Sequence, residues 1–269
     1  MKHYYINHFP YEWVEWFLTC GGTFPLKLRE LAFRWGEKDI TKRYEIFKTM
    51  QDSANYMERN GYETTEEPLL SLPLRFGTVD ALRAFLVAKT PQCIDAGPIF
   101  QSLHYQTMDR RDEYAPKLAP LTFDIDLKGY IKHDNQCQCC TTTIGTCDQC
   151  WIQHLRPALI DLVHFLRDIM QFKVVLPIFS GRGGFHVYVL DKRVWTWDDM
   201  ARAILAEHLP KSIVRDSAIT LGHLIKIPFS PHKNGYLSMP ILDIYEFLPS
   251  RDRVKLTSVT DELINKLTE

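Results

Sequence analysis

The sequence predicts an α+β fold, and three observations predict it. Apolar residues recur at three- and four-residue spacing in several stretches, as on the buried stripe of a helix. The segment Leu121-Thr122-Phe123-Asp124-Ile125-Asp126-Leu127 alternates apolar with polar at a spacing of two, which is a strand signature. Two further apolar runs, 172–179 and 185–190, flank Ser180-Gly181-Arg182-Gly183-Gly184 and read as neighbouring strands joined by a glycine-rich turn. No internal repeat and no Gly/Ser linker divides the chain, so a single unit over 1–269 is expected, an α+β or mixed-sheet domain with embellishments.

Taken in order, the spacing of Tyr44, Phe47, Met50, Ala54 and Met57 predicts a helix over 40–60, with Gly61 placed to cap its C-terminus. Residues 64–77, rich in Pro, Glu and Leu, read as an irregular excursion. A second helix is expected after Thr78, with Leu82, Phe85 and Leu86 on one side and Pro91 beyond its end. The strand at 121–127 follows, then a helix over 152–170 carrying Leu155, Leu159, Leu162, Val163 and Leu166, with Pro157 tolerable in its opening turn. After the strand pair around Gly181, helical spacing returns over 195–209. Strands are expected at 224–229 and 237–244, and Thr260 caps a short final helix.

The composition limits the classes of function. With 269 residues, 45% hydrophobic and 24% charged, the chain is neither disordered nor fibrous. No apolar run reaches eighteen residues, and Met1-Lys2-His3-Tyr4-Tyr5 lacks a signal-peptide core, so an intracellular, non-membrane protein is expected. A net charge of -1 supplies no global field toward nucleic acid; phosphate binding must be local. Of seven cysteines, Cys137, Cys139, Cys140, Cys147 and Cys150 crowd together, which points to metal, while Cys20 and Cys93 read as buried thiols.

Chemistry concentrates at four places. Asp124 and Asp126 lie two apart on a strand, so both carboxylates project from one face, where a divalent cation relieves their repulsion; an exposed face with two solvated acids fits the spacing as well. The glycines of the 180–184 turn let backbone N–H groups approach an anion, with Ser180, Arg182 and His186 adding a hydroxyl, a forked cation and an imidazole; turn chemistry alone also explains the glycines. Asp216 could complete a carboxylate set, with His223, Lys226 and His232 offering donors to phosphate, though such residues are commonly just solvated. Finally, Cys139, Cys140, Cys147 and Cys150 can give four thiolates to one structural zinc, with Cys137 and His133 as spare ligands and an insertion over about 133–151 as its frame.

In this order the motifs resemble the catalytic small subunit of archaeal and eukaryotic DNA primases, across most of the chain. Phe123-Asp124-Ile125-Asp126 is similar to that family's first motif and Ser180-Gly181-Arg182-Gly183-Gly184-Phe185-His186 to its second. Asp216 with the stretch from His223 to His232 is similar to the third. Tyr4-Tyr5, Phe9-Pro10-Tyr11, Gly21-Gly22, Arg43-Tyr44-Glu45-Ile46-Phe47 and Ile94-Asp95-Ala96-Gly97 resemble further stretches. The resemblance implies a primase-type catalytic core, a mixed β-sheet cleft flanked by helices, with a small zinc-binding knob beside it.

It further implies template-directed synthesis of short RNA primers on single-stranded DNA, with a primase-polymerase that extends primers with deoxynucleotides as the alternative. Asp124, Asp126 and Asp216 would hold two Mg²⁺ or Mn²⁺ ions. Arg43, Ser180, Gly181, Arg182, His186, His223, Lys226 and His232 would hold the incoming ribonucleoside triphosphate. The implied partners are the template, a large iron–sulfur subunit in a heterodimer and a replicative DNA polymerase, at sites of DNA replication and in the nucleus if the source is eukaryotic. Two departures stand out: Gly183 sits where eukaryotic relatives commonly carry a second arginine, and Cys93 where they carry a basic residue, for which Lys89 is the nearest substitute in sequence.

Overall fold

The computed structural model describes residues 1–35, 40–42, 44–46, 50–59, 71–100, 118–130, 147–213, 223–232 and 234–269. Two short helices, α1 (Lys2–Asn7) and α2 (Tyr11–Leu18), open the chain, and their aromatic residues face inward. Tyr4, Tyr5 and Tyr11 are buried, and each hydroxyl donates to a backbone carbonyl, of Phe229, Pro91 and Tyr5 respectively, at 2.7–2.8 Å. Burying a tyrosine is tolerable only when its hydroxyl finds such an acceptor. Tyr4 and Tyr5 therefore pin the N-terminus to distant segments, and Tyr11 ties α2 back to α1. Cys20, Gly21 and Gly22 all have positive φ and turn the chain out of α2.

The chain next runs through β1 (Arg29–Trp35), β2 (Ile40–Lys42) and β3 (Tyr44–Ile46), then α3 (Met50–Arg59), β4 (Ser71–Pro73), α4 (Val79–Lys89) and β5 (Cys93–Ile99). The helix expected over 40–60 is thus present only in its second half. Ile40, Thr41, Tyr44 and Ile46 suit strands, and pairing decides the matter: β2 joins β1 and β3 joins β4. Tertiary partners override a helical spacing that five residues happened to satisfy. The irregular reading of 64–77 is corrected at β4, while 60–70 lie outside the described residues. The helix after Thr78 is as expected, with Thr78 Oγ1 accepting from the Ala81 N–H at 3.2 Å.

The second half of the sequence contributes β6 (Leu121–Asp126), a helical stretch made of α5 (Asp148–Cys150) and α6 (Arg156–His164) with π turns 151–155 and 165–169, then β7 (Val175–Phe179) and β8 (Gly184–Val189). It continues through α7 (Asp199–Glu207), β9 (Ile225–Lys226), β10 (Met239–Pro240), α8 (Pro249–Asp252) and α9 (Asp261–Thr268), the last capped by Thr260 as expected. The strands expected at 224–229 and 237–244 shrink to two residues each. Phe229 has a φ of 63° and Pro231 follows, and both interrupt a ladder.

Two four-stranded sheets result, ordered β2-β1-β5-β9 and β10-β7-β8-β6, beside the two-stranded β3-β4. Every pairing among the described residues is antiparallel, which corrects the expected mixed sheet. Strands β5 and β8 are buried along their whole length, so each sheet is covered on both faces. Phe123, Phe179, Phe185, Trp151 and Leu162 are among the fully covered side chains, and each contributes roughly 1.5–3 kcal/mol by leaving water. Arg202 on α7 is buried too, its guanidinium donating to the carbonyls of Trp197, Ala119, Pro120 and Val194, which fixes the entry to β6. None of the helices among the described residues is long and apolar enough to cross a membrane.

Candidate functional site

The site starts from the register of β6 against β8, where Asp124 lies opposite His186 and Asp126 opposite Gly184. Strand alternation sends Phe123 and Ile125 into the core and turns Asp124 and Asp126 to the other face, where exposure rises toward the end of the strand. Both acids therefore share one face, as the spacing predicts. The close approach at Asp126 depends on glycine. A Cβ on Gly184 would stand 2.1 Å from the Ile125 carbonyl oxygen and 3.0 Å from Asp126 Oδ1.

His186 is 7% exposed and Asp124 36%, and their Nε2 and Oδ1 atoms lie 3.3 Å apart. Burial pushes the Asp124 carboxyl up, but the hydrogen bond and charge of His186, with the charges of Lys226 and His223, outweigh it and hold the group below the usual carboxylate value. Asp124 is thus an ionised, half-buried carboxylate. Among the described residues, His186 Nδ1 is buried without a hydrogen-bond partner.

The turn between β7 and β8 is closed by Ser180 N donating to Gly184 O at 3.1 Å and Gly184 N to Ser180 Oγ at 3.2 Å. Gly181 has a φ of 88° and packs against the Leu237 carbonyl, so a side chain there is excluded twice over. Arg182 is exposed at the tip. Gly183 has nothing within 4 Å of a virtual Cβ, so the position where relatives carry arginine is open.

Lys226 comes from the other sheet. Tyr188 Oη, on β8 two residues from His186, donates to the Lys226 carbonyl at 2.7 Å and joins the two sheets at the site. Lys226 Nζ reaches the Ser180 carbonyl at 3.4 Å. Burial lowers its pKa, partly countered by Cys93, Asp95 and Asp124. His232 sits in the turn before β10; its Nδ1 accepts from Asn234 N at 3.2 Å, and Asn234 Nδ2 donates to Gly181 O at 3.1 Å. His186 touches Asp124, and Lys226 and His223 are near enough to act on its charge, while hydrogen bonds link Lys226 to Ser180 and the His232 turn to Gly181. Arg43 and Asp216 lie outside the described residues, as do His133, Cys137, Cys139 and Cys140.

Cys147 and Cys150 are described. Cys150 is buried on α5, and its N–H donates to Cys147 Sγ at 3.4 Å, so both thiols belong to one helical turn. They are two of the four expected zinc ligands; Cys139 and Cys140 lie outside the described residues. Among the described residues, no group of three or more His, Cys, Asp or Glu side chains converges to hold a metal.

A further group was missed by sequence reading. Asp95 on β5 is buried and held by Arg34 of β1, whose Nη2 lies 2.9 Å from Oδ1 and 2.8 Å from Oδ2. The same Nη2 donates to Cys93 Sγ at 3.0 Å. Asp95 is the direct cross-strand neighbour of Lys226. The cation lacking at Cys93 is therefore supplied by Arg34 across the strand pair, and Lys89 is exposed at the end of α4 instead. Only the pairing of β1 with β5 exposes this, and β1 has no period of two because both its faces are covered.

Residues 123–220 match the family model described as "DNA primase small subunit". The chain is 26% identical over 168 residues to the DNA primase small subunit of Schizosaccharomyces pombe, covering 62% of this chain and 36% of that protein. It is 28% identical over 159 residues to that of Drosophila melanogaster, 59% and 35% of the two chains, and 29% over 158 residues to that of Saccharomyces cerevisiae, 58% and 37%. The matched regions thus span about a third of the length of these relatives. Among solved structures, the polymerase domain from Mycobacterium tuberculosis ligase D in complex with DNA aligns with a TM-score of 0.49 at 13% identity, over 95% of this chain and 85% of that one. The segment 123–220, which carries Asp124, His186 and Asp216, is thus similar to the DNA primase small subunits.

Proposed function

We propose that the chain is a primase catalytic subunit that joins ribonucleotides into short RNA primers on a single-stranded DNA template. The observation that carries this reading is the strand pair itself: an ionised Asp124 and an exposed Asp126 on one face of β6, beside a glycine turn and a lysine brought in from a second sheet. Oxygen donors of this kind suit hard divalent cations, and Asp124 and Asp126, with Asp216, are the residues that would hold Mg²⁺ or Mn²⁺. When bound, such ions lower the pKa of an attacking 3′-hydroxyl and offset charge on the leaving pyrophosphate.

The chain's own residues do the rest. His186 orients Asp124 and keeps it charged. Backbone N–H groups of the 180–184 turn, with Ser180, Arg182, Lys226, His232 and Arg43, grip the triphosphate, and His223 adds a nearby imidazole. Lys226 is well suited because it is partly buried, so a phosphate meets a cation that has already lost some of its water. No protein nucleophile is required. Cys139, Cys140, Cys147 and Cys150 are proposed to hold one structural Zn²⁺, for which the turn joining Cys147 to Cys150 is favourable. A large iron–sulfur subunit and a replicative polymerase are the proposed partners, with DNA replication as the setting.

The test is synthesis on unprimed single-stranded DNA with ribonucleotides or deoxynucleotides supplied separately. New RNA chains support the primase reading. Extension of an annealed primer with deoxynucleotides, without any unprimed start, replaces it by a primase-polymerase.

A further inference from the structure

A second concave surface lies away from the aspartate site. A groove of about 620 Å³ lies between the turn leading into β10 and the C-terminal helices, with Met239, Leu242 and Leu263 in its floor and Arg253, Lys255 and Lys266 on its walls. The acids that line it are already engaged. Asp252 is paired with Arg251 at 2.7–2.8 Å, and Asp243 accepts from the N–H groups of Tyr245 and Glu246 at 2.8 and 3.1 Å. Arg253, Lys255 and Lys266, by contrast, make no ion pair among the described residues.

Arg253 and Lys255 flank buried Val254 on an extended segment that bridges Tyr236, and both cations stand over its ring, at 4.4 and 6.0 Å from the centroid. The ring holds the two cations on one side of the groove. Tyr236 also belongs to the turn that completes the nucleotide site. His232 N donates to Tyr236 O at 2.8 Å, and Asn234 of the same turn donates to Gly181 O. One short turn therefore faces the glycine loop with His232 and Asn234, and faces the groove with Tyr236.

We propose that this groove binds the phosphodiester backbone of single-stranded nucleic acid, as a track continuous with the nucleotide site. Four cations (Arg251, Arg253, Lys255 and Lys266) against the two acids Asp243 and Asp252 leave the lining net positive, and with its apolar floor the groove combines what a strand needs: charge for phosphates and apolar surface for bases. The charge is local, in a chain of net charge -1, so the groove accounts for how a nearly neutral protein holds a polyanion. The identity of the strand as template rests on the proposed function; its binding in the groove does not.

The test is anisotropy of a labelled oligothymidylate strand, without metal, at several salt concentrations, for wild type and for Arg253→Ala/Lys255→Ala. The double variant is expected to bind about tenfold or more weakly, with a salt slope reduced by about 2, and to keep wild-type nucleotide affinity and melting temperature. Lys266→Ala, on a separate helix, is expected to lower the slope by about 1 and serves if the double variant misfolds. Arg253→Lys should retain the slope. Unchanged strand affinity and slope in both alanine variants overturns the proposal, as does equal retention of a polyglutamate peptide at the same salt. Asp124→Ala is expected to bind the strand as wild type does, so loss of synthesis and loss of the groove are read separately.

Discussion

At Asp124, burial and charge pull in opposite directions, and the balance sets how the site responds to pH. Its folded pKa lies below the unfolded value. The stability it contributes is therefore complete above the unfolded value and is lost as pH falls through the depressed folded one. His186→Phe removes both the hydrogen bond and the charge and leaves the burial. The Asp124 carboxyl is then expected to titrate higher than in wild type, with Lys226 and His223 still holding it down, which ¹³C NMR of the side-chain carboxylates reads directly; an unmoved resonance would show that His186 does not set this charge. Lys226 is a base whose folded pKa is lowered, so its protonated form costs stability; that cost is complete below the folded value, shrinks as pH rises through it and is gone above the unfolded value. Lys226→Met should keep or raise the melting temperature while weakening triphosphate binding by about tenfold, or about 1.4 kcal/mol, measured by calorimetry. Asp124, Asp126, Ser180 and Lys226 were legible as residues because their types and spacing are local. The Arg34–Asp95 pair was not, since its two halves are about sixty positions apart and meet only through strand pairing.

At the scale of the element, the β6–β8 pair depends on Gly184 and tolerates much at Gly183. Gly184→Ala forces a Cβ onto the Ile125 carbonyl and should cost about 2 kcal/mol or more in urea unfolding, because backbone rather than a flexible side chain must move. Gly183→Arg meets open space and should stay within about 0.5 kcal/mol, while tightening triphosphate binding. Equal costs for the two would contradict the register described. The glycine turn itself was readable from sequence because its chemistry is local. The helix expected over 40–60 was not reliable, since five apolar residues at helical spacing also allow Ile40, Thr41, Tyr44 and Ile46 to pair as strands. The pairing partners Phe33–Trp35 and Ser71–Pro73 decide between the two, and neither is visible in the window itself.

For the whole molecule, the proposed function draws on two sheets, with Lys226 delivered by one and Asp124 by the other. The Tyr188 hydroxyl on the Lys226 carbonyl is a small joint with a large consequence. Tyr188→Phe leaves a buried carbonyl unpaired and should cost about 1–3 kcal/mol, with nucleotide affinity falling alongside stability. An α+β class was legible from alternating periods, but the split into two antiparallel sheets was not, because β9 and β10 are two-residue strands without a period to detect. The proposed zinc site belongs to this scale too: one zinc per chain by atomic absorption, lost to a chelator together with thermal stability, is the expected result. The central claim is that the carboxylate pair on β6 runs nucleotidyl transfer. The most direct test compares wild type with Asp124→Ala/Asp126→Ala on unprimed single-stranded DNA with ribonucleotides and Mg²⁺ or Mn²⁺. Primer synthesis by wild type that vanishes in a folded double variant is the predicted result, and synthesis that survives the double substitution would contradict it.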